Sequence, residues 1–196
     1  MFRKVKVPEL ESGRILLRSW SRKDAEDLFR YASDQRVGPA AGWAPHRSVG
    51  ESRVIIDEVY LARLDWAIVD KRTGRPIGNI GLDEDTIRQK VNSKELGYSL
   101  SADYWGQGIV PEAAGLVLDY AFRTLGLDCV TVRIETDNEA SKRVADKCGF
   151  QFEGVLRYSY KRYDKTIVDM AYYSMLASDY FGNEEGQENV TEAEEA

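Results

Sequence analysis

Glu95-Leu-Gly-Tyr-Ser-Leu-Ser-Ala-Asp-Tyr-Trp-Gly-Gln-Gly-Ile-Val-Pro-Glu-Ala113 is the stretch whose reading decides the fold. Glu95 to Leu100 reads as a strand. Ser101 to Gly108 is a loop punctuated by Gly106 and Gly108, and Pro111 sits where a helix begins, a favoured N1 position. Such a loop leaves several backbone N–H groups converging ahead of a helix N-terminus, which makes an anion site. The two glycines let a phosphate approach without interference from a Cβ. The spacing is not that of a Walker loop, and no third glycine completes a dinucleotide fingerprint.

Downstream, Val117, Leu118, Ala121, Phe122 and Leu125 form the apolar stripe of that helix, and Gly126 ends it. Val130, Val132 and Ile134 alternate with Thr131, Arg133 and Glu135 as in a half-buried strand. A strand–helix–strand unit of this kind implies a parallel crossover. Asn138 is a natural N-cap, and the helix it opens stops at Gly149, a natural C-cap. Phe150 to Lys161 and Ile167 to Met175 are strands around a turn at Tyr163.

Upstream, Arg14 to Trp20 reads as a first strand. Ser21-x-x-Asp24 then has capping-box spacing before a helix that buries Ala25, Leu28, Phe29 and Ala32. Gly38 to Pro45 is a loop. Ser48-x-x-Glu51 opens a second helix running to about Arg63, with Ile55, Ile56, Val59 and Tyr60 at helical spacing. Trp66 to Val69 and Ile77 to Leu82 form a hairpin, in which Gly78 and Gly81 imply close packing against another backbone. The order β-α-α-β-β-β-α-β-α-β-β fits an α+β fold: a single domain with a central mixed, mostly antiparallel sheet and helices on both faces. Residues 1–9 read as an N-terminal extension, 10–181 as the domain and 182–196 as an acidic, disordered tail.

Composition excludes several function classes. The net charge is −6, but residues 182–196 carry six glutamates and no Lys or Arg, so the remainder holds 27 acidic and 27 basic residues. A near-neutral body has no basic excess for a nucleic acid. No apolar run approaches the ~18 residues of a membrane span, and no secretory signal opens the chain. A cytoplasmic location follows. Cys129 and Cys148 suggest neither a disulfide framework nor a zinc site, and the single histidine, His46, argues against a metal site. No G-x-S-x-G elbow is present, which argues against a serine hydrolase.

Tyr104-Trp105-Gly106-Gln107-Gly108 followed by Glu112-Ala113 resembles the acetyl-CoA pyrophosphate loop of GNAT-superfamily N-acetyltransferases of the RimJ/RimL branch. Asn138-x-x-Ser141-x-x-Val144-x-x-Lys147-x-Gly149-Phe150 resembles the helix after their next strand. Arg14 to Arg18 with Asp24 to Phe29, Trp43 to His46, Gly78 to Leu82 and Glu153 to Arg157 match in order, so the resemblance runs from Leu10 to Phe181. Trp105 and Val110 depart from the superfamily's loop pattern, and Val110 is bulky enough to narrow the approach. The tyrosine that many of these enzymes carry on the helix after Asn138 as general acid is missing.

The resemblance implies direct transfer of acetyl from acetyl-CoA to a primary amine, without a metal. Glu95 is the candidate general base, with Glu135 as its competitor. Ser141 takes the place of the tyrosine, as a proton donor or only as a hydrogen bond to the CoA sulfur. The backbones of Tyr98, Ser99 and Leu100 would pair with the pantetheine arm as an added strand would. Trp105, Gly106, Gln107, Gly108, Ile109 and Val110 would hold the pyrophosphate. Asn138 and Lys147 would contact the cofactor too, whereas Lys142 and Arg143 either reach the phosphates or are solvated helix charges. Trp43 and His46 are candidates for the acceptor slot or for loop packing. Tyr158, Tyr160 and Tyr163 either wall its other side or are packing residues. The implied acceptor is the N-terminus of a protein, as for ribosomal proteins. The alternatives are a small amine such as a polyamine, amino acid or aminoglycoside, and a non-catalytic acyl-CoA-binding module. A homodimer is a further expectation of the family.

Overall fold

A computed structural model describes residues 5–182. The proposed tail falls outside the described residues except for Gly182, as do residues 1–4 of the proposed extension. The rest of that extension is attached to the body: Val7 is buried, Val5 N donates to Leu61 O at 2.9 Å, and Trp66 Nε1 donates to Pro8 O at 2.8 Å.

Eight strands form one sheet: β1 (Leu10–Glu11), β2 (Ile15–Ser19), β3 (Leu64–Asp70), β4 (Arg75–Glu84), β5 (Ser93–Leu100), β6 (Cys129–Glu135), β7 (Gln151–Lys161) and β8 (Ile167–Leu176). Their order is β1-β2-β3-β4-β5-β6-β8-β7. Every neighbouring pair is antiparallel except β5 and β6, which the crossover makes parallel. The helices are α1 (Ala25–Ala32), the short α2 (Val37–Ala40), α3 (Val49–Glu58), α4 (Ile109–Asp119) and α5 (Glu139–Lys147). A π-helical turn over Tyr120–Thr124 extends α4, and residues 177–182 are helical.

Strand alternation feeds two apolar clusters, one on each face. Ile68, Ile80, Leu96, Val130 and Val132 meet Val117 and Leu118 of α4 and Ala145 of α5. Ala67 and Val69 meet Leu28 of α1 and Ile56 of α3. Gly78 and Gly81 are tight as expected: a Cβ would lie 2.5 Å from Ser99 O at Gly78 and 2.3 Å from Asp65 Oδ1 at Gly81.

Some boundaries differ from the sequence reading. α3 stops at Glu58 rather than Arg63, and a 3₁₀ turn, Tyr60–Ala62, follows the β-branched Val59. Along α1 it is Tyr31, not Phe29, that is buried. Pro111 is the third residue of α4, not the first, because the helix starts at Ile109 directly after a left-handed Gly108. Its missing N–H costs nothing there, since the first four helical N–H groups have no intrahelical acceptor. The first capping box is reciprocal, Ser21 with Asp24. In the second, Ser48 caps Glu51 N at 3.1 Å but Glu51 turns to Arg47 N at 2.6 Å.

Candidate active site

The parallel ladder between β5 and β6 is short. It pairs Ser93 with Cys129, Lys94 with Val130 and Glu95 with Thr131, and then stops, although β5 continues to Leu100 and β6 to Glu135. The two strands therefore diverge beyond Glu95. Ser101 N donates to Ile77 O at 2.8 Å. The alternation of an antiparallel ladder then turns the N–H and C=O of Leu100 and Tyr98 away from β4 and into the gap. The Ser99 backbone faces Asn79 of β4 instead, so it offers the gap no hydrogen bond, contrary to expectation. Leu100 O is taken by Trp105 Nε1 at 2.9 Å.

Two cavities occupy the gap. The larger, about 900 Å³, lies along Tyr98–Leu100, the Tyr104–Gly108 loop, the start of α4 and the α5 face carrying Ser141, Arg143, Val144 and Lys147. The smaller, about 180 Å³, is lined by Glu95, Gly97, Arg133, Glu135, Tyr160 and the Ala40–Gly42 segment, among others. They share Ala40, Ala41, Tyr98, Asn138 and Ser141, and so meet at those residues.

The loop at the end of the larger cavity has the shape of an anion cradle. Gly106 and Gly108 adopt φ of +74° and +75°, a conformation that costs other L-residues about 1–2 kcal/mol. The N-cap of α4, Gly108, has no side chain to cap the helix, and the start of α4 with its dipole borders the cavity. Val110 packs into the core and also lines the larger cavity. Gln107 turns away: its Nε2 donates to Asp103 O at 3.0 Å, and its own carbonyl accepts from Arg14 Nη1 at 3.1 Å. Arg14 also pairs with Glu112 through Nε at 2.8 Å, and Ser12 donates to the same carboxylate. Arg14 thus fastens the loop to the sheet and holds the first-turn carboxylate of α4 out of the cradle. Sequence reading assigned it only to a strand, because its partner lies 98 positions away.

Where the cavities meet, Asn138 Oδ1 caps α5 by accepting from Ser141 N at 3.0 Å. The Tyr98 hydroxyl reaches Ser141 O at 3.5 Å, and burial pushes the phenol up to about 12. A strand tyrosine thereby stands beside the helix that carries none, a placement only the crossing of β5 and α5 produces. Lys147 and Arg143 line the larger cavity, whereas Lys142 Nζ bonds Thr136 O at 2.6 Å and Glu139 at 2.7 Å and does not line it.

Both carboxylates of the smaller cavity are paired. Glu95 lies 2.6 Å from Arg133 Nε. Burial raises the Glu95 carboxyl above its usual range, and Arg133 partly opposes this. Glu135 receives both Nε (2.9 Å) and Nη2 of Arg162 in a fork that engages its two oxygens. Glu95 is therefore the less committed acceptor. Trp43 and His46 line neither cavity. The His46 ring nitrogen Nδ1 lies 2.8 Å from Ser52 Oγ, its backbone N bonds Ala32 O at 2.9 Å, and burial lowers its pKa. The Trp43 ring packs against His46 with centroids 5.2 Å apart. Both brace the loop from behind because the second apolar cluster draws Trp43 inward. Of the three late tyrosines, Tyr160 lines the smaller cavity, and Tyr158 and Tyr163 line neither of the two.

Among the described residues, no group of three or more His, Cys, Asp and Glu is placed to hold a metal ion, and no helix is long and apolar enough to cross a membrane. Cys129 is buried and Cys148 half-buried, both as free thiols.

Residues 14–151 match the acetyltransferase (GNAT) domain family. The chain belongs to that family. It is 33% identical over 174 residues to the uncharacterized N-acetyltransferase YoaA of Bacillus subtilis, covering 86% of this chain and 97% of the relative. It is 30% identical over 178 residues to the uncharacterized N-acetyltransferase p20 of Bacillus licheniformis, covering 88% and 98%. A solved GNAT-family acetyltransferase from Bacillus anthracis superposes with a TM-score of 0.77 over 87% of this chain and 99% of its own, at 22% identity. The chain is thus an N-acetyltransferase of GNAT type, and its mixed eight-stranded sheet flanked by helices shares the fold of that solved structure.

Proposed function

We propose that the protein transfers acetyl from acetyl-CoA to a primary amine, with the thioester at the junction of the two cavities. One observation carries this reading: the β5–β6 ladder opens directly beside an uncapped helix N-terminus, and the two cavities meet at Tyr98, Asn138 and Ser141. Pyrophosphate would take the N–H groups around Gly106 to Val110, and Lys147 and Arg143 are near enough to add charge. Tyr98 and Leu100 offer the pantetheine arm the strand edge that β6 leaves. A free N–H there would stabilise the carbonyl oxygen as negative charge develops.

The amine nitrogen would attack the thioester carbon, a C–N bond would form, and the C–S bond would break. Glu95 takes the amine proton, through a water if one intervenes, and its raised pKa suits that task. The sulfur needs a donor. Ser141 is near, but the Tyr98 phenol is the stronger candidate, because a phenol is more acidic than an aliphatic hydroxyl even when burial pushes it up to about 12. Holding both reactants in one gap supplies much of the remaining acceleration.

The acceptor named by the resemblance is a protein N-terminus. Relatives whose names state an acceptor point both ways: the spermidine N(1)-acetyltransferase of Escherichia coli is 33% identical over 70% of this chain, and YdaF of Bacillus subtilis, provisionally named a ribosomal N-acetyltransferase, is 33% identical over 47%. The test is thiol release from acetyl-CoA with N-terminal peptides and small amines, with mass detection of products. Acceptor-dependent release with an N-acetylated product supports the reading. Tight acetyl-CoA binding without release from any acceptor favours a non-catalytic acyl-CoA module, and absent binding removes the cradle assignment.

A further inference from the structure

The segment Ala40-Ala41-Gly42 leaves α2 on the α1 side of the sheet and lines both cavities or the smaller one alone. Two side chains tie it to the opposite side of the gap. Asn138 Nδ2 donates to Ala40 O at 3.1 Å, and the Tyr160 hydroxyl donates to Gly42 O at 3.2 Å. Asn138 opens α5 and Tyr160 lies on β7, so the tether spans the place where β5 and β6 separate.

Both ends of the tether are shaped locally. Gly42 has φ of +87°, which favours glycine, and a Cβ there would crowd Tyr160 Oη at 3.0 Å. On β7 the register passes from Leu156–Met170 to Tyr160–Val168, which inserts two extra residues just before Tyr160. Tyr158 takes φ of +54° within that bulge, and Asp169 Oδ1 holds its N–H at 2.8 Å. Bulges re-aim the side chains next to them, and here the re-aimed side chain reaches the segment. Behind it, Trp43 N bonds Gly38 O at 3.0 Å, and a Cβ on Gly38 would meet Trp43 O at 2.7 Å.

We infer that Tyr160, with Asn138, sets the size of the acceptor by strapping residues 40–42 across the smaller cavity, and that the acceptor is a small unbranched primary amine rather than a polypeptide N-terminus. The inference rests on the acetyl-transfer reading of the site. The smaller cavity is about a fifth the size of the larger, about 180 Å³ against about 900 Å³. That accommodates an amine on one slender arm. The cavity is partly open to solvent, and the strap narrows the route that the second and third residues of a polypeptide would take.

The test compares kcat/KM for 1,4-diaminobutane and for a hexapeptide with a free N-terminus, using thiol release by the wild type, Tyr160→Phe and Tyr160→Ala. The wild type is expected to favour the diamine at least tenfold. Tyr160→Ala should narrow that preference at least fivefold, mainly by lowering the peptide KM. Tyr160→Phe, which keeps the ring and loses the hydrogen bond, should narrow it less and should speed amide exchange at residues 40–42. Acetyl-CoA affinity should stay within about twofold, because Tyr160 does not line the larger cavity. A wild type that prefers the peptide, or a preference unchanged in both variants, overturns the inference while leaving acetyl transfer standing. Silence with both acceptors despite bound acetyl-CoA overturns the transfer reading and this inference with it. If Tyr160→Ala does not fold, Tyr160→Phe decides by the same ratio and by the exchange rates.

Discussion

Glu95 Oε2 lies 2.6 Å from Arg133 Nε across the parallel strand pair, so the carboxylate facing the smaller cavity is already half of an ion pair. Burial and Arg133 pull its pKa in opposite directions, and burial wins. A base acts only when deprotonated, so activity should rise with pH along a limb whose midpoint lies above the usual 4.5. Glu95→Gln should lower kcat/KM by about 10²–10⁴ with acetyl-CoA affinity unchanged. Arg133→Gln removes the opposing influence and should move the limb to higher pH. A limb that stays in place would show that Glu95 is not the group titrating.

The Tyr98 hydroxyl and Ser141 stand together where the cavities join. Tyr98→Phe removes the phenolic donor and should reduce kcat by about tenfold, with little change in acetyl-CoA affinity. Ser141→Ala should cost less. The outcome that reverses these roles is a larger loss from Ser141→Ala, and single-turnover thiol release measures both.

Gly108 holds the left-handed turn that starts α4. Gly108→Ala should cost about 1–2 kcal/mol in that conformation, and part of it should appear as weaker acetyl-CoA binding, about three- to tenfold by calorimetry. Arg14→Ala should weaken binding in the same direction, because Arg14 joins Gln107 O to Glu112. The Arg14 effect should persist at raised salt, since the change is in loop geometry rather than in charge near the ligand.

Asp65 is half-buried, with its carboxyl packed against Gly81, and this desolvation raises the carboxyl from 3.8 to about 6, with Asn79 and Arg63 pulling the other way. Between pH 4 and 6 the folded chain holds a proton that the unfolded chain releases. Stability therefore falls as pH rises through that window, and the loss is complete above it. At pH 7 this amounts to about 3 kcal/mol. Asp65→Asn keeps a carbonyl for Asn79 Nδ2 and should raise the melting temperature at pH 7–8, with a smaller gain at pH 5. Equal melting curves at both pH values would refute the assignment.

Local chemistry made much of this protein legible in its sequence. Gly106 and Gly108 announce a left-handed loop because only glycine enters that region freely, and Asn138 announces a helix start because its side chain replaces a missing backbone acceptor. Alternation in β6 and the 3.6-residue stripe of α4 specify which faces are buried. These signals act over a few residues, so the order of elements and the left-handed glycine loop before α4 could be read along the chain.

What the tertiary structure alone decided depends on distance through space. The β5–β6 ladder stops at Glu95 because the two strands diverge, and nothing in either strand's sequence marks that point. Arg14 reaches Glu112, Tyr98 reaches α5 and Tyr160 reaches Gly42 across separations of 43 to 118 residues. Trp43 and His46 had the composition of a binding loop, yet the apolar cluster beneath α1 and α3 claims Trp43 and Ser52 holds His46. A side chain's own preferences fix its local conformation, but its partners are set by which elements the packed core brings together.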